Sequence, residues 1–400
     1  MRDDVATAVV NARGAARIRG GHPWVLRTDL VRGPARDARD GGPGVVAVED
    51  ARGKPLGVAT WGARGPIALR VLDRDPAARP RGLGEVVAQR LAPALERRRA
   101  LNLPRDAYRV VHAEGDGLPG LIVDRYAEAA VVQTTSAAMN AVRDEVVEIV
   151  RAVLDAPVLV VRDDGSARDF EELPRGKALI RGATAQVVYR LGENRLEADL
   201  LADGKTGGFL DQADNQAAVA ALAPAGARAL DAFTFHGGFA LALARRGGAV
   251  LALDENPAAV ERAAANARRN GLSNLTVERA NAFDRLRALE AARELFDVVV
   301  VDPPALAKRG GLAGLGAATR AYKELILRGA RLCRAGGLLV ACSCSGRMSR
   351  ALWEETCAEA LFDAGRAAVV LSRAGAGRDH PELAGVPETG HLKAWTFRML

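Results

Sequence analysis

The stretch Arg228-Ala-Leu-Asp-Ala-Phe-Thr-Phe-His-Gly-Gly-Phe239 decides the fold. A strand over Arg228–Phe233 ends in the run Asp231–Gly238, and the chain breaks at Gly237 and Gly238. From Phe239 to Arg246 the apolar spacing is helical. A strand that ends at an acid and glycines and feeds a helix is the repeating unit of a parallel sheet with crossover helices. The pattern recurs downstream. Ala249–Leu253 is a strand ending at Asp254, Leu275–Arg279 runs into Asn281 and Ala282, and Phe296–Val301 runs into Asp302-Pro303-Pro304. Pro257 and Gly271 bracket a helix over Ala258–Asn270, with proline at the start and glycine past the end. Tyr322–Arg334 is predicted helical, Gly336-Gly337 breaks it, and Leu338–Ala341 is the next strand. Ala367–Leu371 and Leu392–Leu400 are expected to close the sheet. The region from 186 to 400 therefore reads as an α/β, Rossmann-like domain.

Outward from this domain the pattern changes. Residues 1–72 read as short strands separated by turns, one of them at Gly41-Gly-Pro-Gly44, and fit a small β-barrel. Asp73–Pro80, charged and rich in Pro and Ala, marks a boundary. Residues 73–185 form a mixed α+β segment with an amphipathic helix over Leu83–Leu101, whose Arg97-Arg-Arg99 end complements the helix dipole. Three domains result: 1–72, 73–185 and 186–400.

Composition bounds the function classes. Of 400 residues 49% are apolar and 26% charged, which excludes wholesale disorder and coiled coil. Apolar runs such as Val298–Val301 are far shorter than the roughly 20 residues that span a bilayer, and Met1-Arg2-Asp3-Asp4 lacks the pattern of a secretory leader. No membrane partner and a cytoplasmic location are expected. Net charge is +7, and residues 1–72 hold 12 basic and seven acidic residues, so the excess concentrates at the head. A basic head is a footprint for a polyanion or simply a solvated surface. All four cysteines, Cys333, Cys342, Cys344 and Cys357, lie beyond residue 330 with no C-x-x-C pair, and the five histidines are scattered. This excludes a secreted disulfide framework and offers no metal set.

Ligands of an open α/β sheet bind beyond the carboxyl ends of its strands, where the unusual residues fall. Gly237 and Gly238 let backbone approach a ligand. Asp254, 23 residues after Asp231, suits a ribose diol, yet the loop is not G-x-G-x-x-G. A ligand with ribose and adenine but no phosphates fits better, and S-adenosylmethionine is such a ligand; a nicotinamide cofactor is disfavoured. Two prolines after Asp302 make a rigid turn that exposes its carboxylate. Ala305 follows where amine-directed methyltransferases carry an aromatic residue. Pyrimidine C5 attacks a sulfonium methyl only after a thiolate adds to C6. Cys344, just past the fifth strand, is placed for that role, with Cys342 nearer the strand's buried end.

The chain resembles the RlmI-type 23S ribosomal RNA 5-methylcytosine methyltransferases. The resemblance rests on Gly21-His-Pro-Trp-Val25, Val111–Tyr126, Lys205-Thr-Gly-Gly-Phe-Leu-Asp-Gln212, Asp231–Phe239, Asp302-Pro-Pro304, Cys342-Ser-Cys-Ser345 and Asp379-His-Pro381. It implies a PUA domain for RNA binding, a central EEHB-type domain and a Rossmann-like methyltransferase domain. S-adenosylmethionine is the implied cofactor and ribosomal RNA (23S or a large-subunit precursor) the implied partner, with a homodimer left open. On this reading Cys344 and Asp302 are catalytic. Lys205, Phe209, Asp211, Asp231, Phe233, Phe235, Gly237, Gly238, Asp254, Asn281, Ala282, Asp302 and Pro303 bind the cofactor. Asp231, Asp254 and Asn281 take its methionine, ribose and adenine ends. The chain departs from the family pattern at Ala213, where Arg is usual, and at His236, where Thr or Ser is usual. Two alternatives stay open: the same fold acting on another RNA base or atom, and a non-catalytic RNA-binding protein that retains the cofactor.

Overall fold

The computed structural model describes residues 6–34, 44–306 and 311–400. Most of the turn expected at Gly41–Gly44, and Met1–Asp4, lie outside them. By packing the chain divides into two units. One holds residues 1–187, 199–208 and 379–389; the other holds 188–198, 209–378 and 390–400. The first two segments of the sequence reading thus fall in one unit, joined by two pieces from the third.

The first unit contains two sheets. Six strands lie in the order Trp24–Leu26, Ile67–Asp73, Pro55–Trp61, Val45–Asp50, Thr7–Val10, Leu30–Arg32. A helix over Ala12–Arg19, not foreseen in a segment read as strands and turns, packs on them through Ala15 and Ile18. Asn11 starts it by accepting from the Gly14 amide at 2.9 Å, an N-cap in front of an Ala- and Arg-rich run of good helix formers. The second sheet orders Gly176–Arg181, Val158–Asp163, Ala129–Thr134, Leu121–Tyr126 and Ala107–His112, with helices Leu83–Ala100 and Arg143–Leu154 supplying much of its core.

Buried charges tie this unit together. Arg98, one of the arginines at the helix end, is 4% exposed and grips both Asp116 oxygens at 2.6 Å. Asp379, from the last tenth of the chain, accepts from Arg105 at 2.9 Å and from the Arg109 amide at 2.8 Å. His380 beside it meets His112 edge to face at 5.2 Å. Asp124 pairs with Arg109 at 2.7 Å rather than with its neighbour Arg125, and accepts from Thr206 at 2.7 Å. Trp24 donates its indole N–H to Glu114 at 2.8 Å.

The second unit carries a seven-stranded sheet of β1 Ala229–Ala232, β2 Val250–Asp254, β3 Leu275–Arg279, β4 Phe296–Val301, β5 Cys333–Ser343, β6 Ala368–Ala374 and β7 Lys393–Met399. The helices are α1 Ala213–Leu222, α2 Gly238–Ala244, α3 Pro257–Arg269, α4 Ala282–Ala291, α5 Gly311–Leu332 and α6 Arg350–Asp363. The sheet order is β3-β2-β1-β4-β5-β7-β6. The first five strands pair in parallel, and β7 enters antiparallel between β5 and β6. Strand β1 is buried throughout, and β4 and β5 carry the apolar runs Val298–Val301 and Leu338–Ala341, as expected where helices cover both faces. Their core includes Leu230, Val299, Val301, Tyr322, Leu339 and Trp353.

One sequence boundary moves. Gly336 and Gly337 do not break a helix; they lie inside β5, which begins at Cys333. Gly336 has φ +76°, and a Cβ on Gly337 would sit 2.8 Å from the Asp297 carbonyl oxygen, so the bulge against β4 requires glycine there. Among the described residues no helix is long and apolar enough to cross a membrane.

The Arg98–Asp116 pair sets a clear contrast in stability. Asp116→Ala leaves a buried guanidinium without its carboxylate and should cost about 3–5 kcal/mol in urea unfolding. Arg97→Ala removes a half-exposed partner of the same Asp116 and should cost less than about 1 kcal/mol.

Candidate active site

Strand β1 lies between β2 and β4, and the chain winds outward to β3 before crossing back to β4. This reversal opens a crevice beyond the carboxyl ends of β1 and β4, the usual ligand position of a doubly wound sheet. Asp231 is the third residue of β1, Phe233 to Gly237 follow that strand and Gly238 opens α2; Asp254 ends β2, Asn281 and Ala282 follow β3, Asp302 and Pro303 follow β4, and Cys344 follows β5. The sequence-expected residues of the second unit therefore converge on one edge of the sheet. Lys205 belongs to the first unit, where it adopts φ +53°.

The β1 loop is shaped by backbone strain and by carboxylates. Phe233 (φ +68°), Phe235 (φ +50°) and Gly237 (φ +89°) alternate in the left-handed region. For a phenylalanine that conformation is costly and persists only where surrounding bonds enforce it. Here Asp231 Oδ2 accepts from Thr234 Oγ1 at 2.6 Å and from the Ala240 amide at 3.0 Å. The Thr234 amide bonds to the Leu253 carbonyl at 2.8 Å. Asp254 Oδ2 accepts from the Phe235 amide at 2.9 Å, and its Oδ1 from the Asn256 amide at 2.9 Å. Gly238 has its α-carbon packed against the Gln216 amide, which a Cβ would strike. The Phe235 ring meets Phe209 edge to face at 4.8 Å and stacks on His236 at 3.7 Å. Burial pushes the His236 imidazole down to about 3, so it stays neutral.

Asp231 is 1% exposed, and its Oδ1 has no hydrogen-bond partner among the described residues. Burial pushes its carboxyl up to about 7, against the pull of Thr234 and Ala240. A buried carboxylate oxygen left open at a ligand crevice fits a cationic ligand group, which restores ionisation where desolvation opposes it. Asn281 spends its side-chain oxygen on capping α4, accepting from the Phe283 amide at 3.0 Å, a use that its position in sequence did not reveal. Ala282 is the first residue of α4 and is buried.

Sequence reasoning missed two residues. Gln212, quoted within a motif but given no role, donates Nε2 to Asp302 Oδ2 at 3.0 Å. Its Oε1 accepts from Asn215 at 2.7 Å, which fixes the amide orientation. Gln212 also reaches the Cys342 thiol. The adjacent Asp211 is buried and meets His391 at 3.3 Å. Tyr322, on α5, accepts from the Leu306 amide at 3.3 Å and so anchors the turn after Pro304. Burial raises its hydroxyl above the ordinary range, and the neighbouring Cys344 and Asp302 push it the same way. A glutamine beside the Asp211 motif was a visible signal; a tyrosine buried in a long helix gave none.

The thiols separate by burial. Cys333, Cys342 and Cys357 are buried and Cys344 is partly exposed. Desolvation raises Cys333 to about 12 and Cys342 well above the ordinary thiol range. Among the four, Cys344 alone combines access with a place at the strand end.

The raised Asp231 carboxyl has a measurable consequence. Between its ordinary 3.8 and about 7, the folded state holds a proton that the unfolded state releases. Its contribution to stability is full below about pH 4 and is lost as pH rises through about 7. Asp231→Asn should therefore shrink the fall in melting temperature between pH 5 and pH 8; an unaltered fall in the variant assigns the dependence to other groups.

Comparison with known proteins agrees with this architecture. A family profile described as a PUA-like domain matches residues 8–74, and one described as a methyltransferase domain matches residues 224–378. Ribosomal RNA large subunit methyltransferase I of Shewanella amazonensis is 33% identical over 393 residues, covering 94% of this chain and 95% of that protein. The protein of the same name from Aeromonas hydrophila is 34% identical over 389 residues, again covering 94% and 95%. A solved structure from Streptococcus mutans, assigned as a SAM-dependent methyltransferase, superposes with a TM-score of 0.82 over 98% of this chain and 100% of that one. At 17% identity this likeness speaks to the fold alone. A second solved structure, assigned as a methyltransferase and complexed with SAH, gives 0.81 at the same identity and coverage. With relatives of that identity aligned along nearly its whole length, this chain belongs to the ribosomal RNA large subunit methyltransferase I family of S-adenosylmethionine-dependent enzymes.

Proposed function

We propose that this protein methylates C5 of a cytosine in 23S ribosomal RNA through a covalent adduct on Cys344. The observation that carries the reading is the single accessible thiol at the end of β5, sharing its surroundings with Asp302. Ribosomal RNA as substrate follows from the names of the full-length relatives. The basic excess of residues 1–72, nearly all within the PUA-like segment, agrees with phosphate contacts.

A base reacts only once it leaves the stack, so the target cytosine must be flipped into the crevice. The Cys344 thiolate adds to C6, forming a C–S bond and moving electron density onto C5 and the N3/N4 edge. Asp302, whose Oδ2 also accepts from Gln212, would hold that edge by accepting from the N4 amino group. S-adenosylmethionine supplies the electrophilic methyl group that C5 takes. Loss of the C5 proton to a base and expulsion of Cys344 as thiolate restore the aromatic ring. Asp231 would face the cationic methionine end of the cofactor, Asp254 the ribose and Asn281 and Ala282 the adenine side. Phe209, Asp211, Phe233, Phe235, Gly237, Gly238 and Pro303 would line the cleft between them.

Unmodified ribosomal RNA incubated with labelled cofactor should yield 5-methylcytosine on nucleoside analysis. Cys344→Ser should lower turnover by at least about 10³-fold while Cys342→Ala stays within about tenfold. RNA carrying 5-fluorocytosine should give a denaturant-stable adduct with wild type and none with Cys344→Ser. A different product nucleoside, or full activity in Cys344→Ser, would sink the thiol mechanism. Asp302→Asn should cost about 10²–10³-fold in kcat with little change in cofactor affinity.

A further inference from the structure

We propose that Lys393 is the positioning residue of the thiol: a buried ammonium that clamps the loop carrying Cys344 and sets positive charge behind it. The proposal rests on the reading of Cys344 as nucleophile. Lys393 opens β7, directly opposite Ser343, the last residue of β5. It is 2% exposed. Its Nζ donates to the carbonyls of Ser345 and Met348, both at 2.7 Å, and to that of His391 at 2.9 Å.

Three features make this more than packing. Lysine is almost never fully buried unless paired, because desolvating an ammonium costs several kcal/mol. A methionine would fill the same space without that penalty, so the charge itself has a use. Second, the three bonds fall where they govern Cys344. Ser345 and Met348 are also joined by the Met348 amide to the Ser345 carbonyl at 3.2 Å, closing a turn whose apolar end, Met348, is buried. Cys344 is thereby suspended between Ser343, held in the sheet, and Ser345, held by Lys393. Third, the groups around the thiol call for a cation. Asp302 from the β4 turn, the Tyr322 hydroxyl from α5 and the neighbouring Cys342 thiol form one electrostatic cluster with Cys344. Arg347 and His391 are the other titratable groups close by along the chain. An Asp302 carboxylate disfavours a second anion beside it. Lys393 opposes that effect and favours the thiolate, the form that attacks C6.

The test is the pH profile of Cys344 alkylation by iodoacetamide, read by peptide mass spectrometry on the full chain; the buried cysteines serve as internal controls. In wild type the midpoint should lie below the ordinary thiol value of about 8.5. Lys393→Met should raise it by about one unit or more, while Lys393→Arg, which keeps the charge, should leave it within about half a unit. Binding of S-adenosylhomocysteine should change less than about threefold in either variant, and circular dichroism reports folding. A wild-type midpoint at or above about 8.5 overturns the proposal without recourse to any variant. An unshifted profile in folded Lys393→Met, or an equal shift in Lys393→Arg, also overturns it. Full methylation by Cys344→Ser would instead remove the nucleophile reading, whatever the alkylation profile. An inactive Cys344→Ser with an unshifted Lys393→Met profile would remove only the role of Lys393.

Discussion

The parallel pairing of β1 with β4, Ala229–Ala232 against Val298–Val301, is the constraint on which the site depends. A chain that has wound outward through β2 and β3 must cross back to make that pair, and no helix can fill the gap between the two outgoing connections. The crevice is therefore a consequence of strand order. The apolar strands hold it rigidly from below, because Val298–Val301 and Leu338–Ala341 are buried on both faces. Side chains placed after these strands inherit their spacing from the sheet.

Rigidity below permits strain above. Three consecutive odd-numbered positions, Phe233, Phe235 and Gly237, adopt left-handed backbone, and each lies within a web of bonds from Asp231, Thr234 and Asp254. Satisfying Asp231 fully within the protein would have required another donor at Oδ1. Burial, with no such donor among the described residues, keeps the carboxyl high. The neutral, stacked His236 fits the same logic. A charged imidazole there would compete with any cationic ligand, whereas burial holds it uncharged.

The succession of strands along the chain and the acids at their ends were legible in the sequence, because a parallel sheet buried on both faces writes each strand as an apolar run with an abrupt polar stop. That rule puts Asp231, Asp254, Asp302 and Cys344 at or next to strand ends, where the structure has them. Features set by contacts distant in sequence were not legible. Nor was the capping of α4 by the Asn281 oxygen. Gly336-Gly337 looked like a helix break because a bulged strand and a turn share the same residues. The helix over Ala12–Arg19 was hidden by its brevity, since eight residues give barely two turns of periodicity. Pieces 199–208 and 379–389 join the first unit through Thr206 and Asp379, polar residues whose partners lie 82 and 274 positions away.

The two cysteines at the end of β5 show how one strand terminus divides chemical labour. Residues two apart share a face of a strand, so a β5 prolonged by one residue would bury Cys344 beside Cys342. Desolvation would then hold both thiols protonated, as it does Cys342. Strand β5 instead stops at Ser343, and the turn from Ser345 to Met348 takes Cys344 off the buried face. Lysine at the first position of β7 is what makes that stop affordable, because its ammonium accepts the job of satisfying carbonyls that the ladder no longer reaches. The same bonds hold a buried lysine against the turn that carries the thiol. Strand termination and thiolate stabilisation are on this view a single structural event, which explains why an expensive buried lysine stands where an apolar residue would have packed as well.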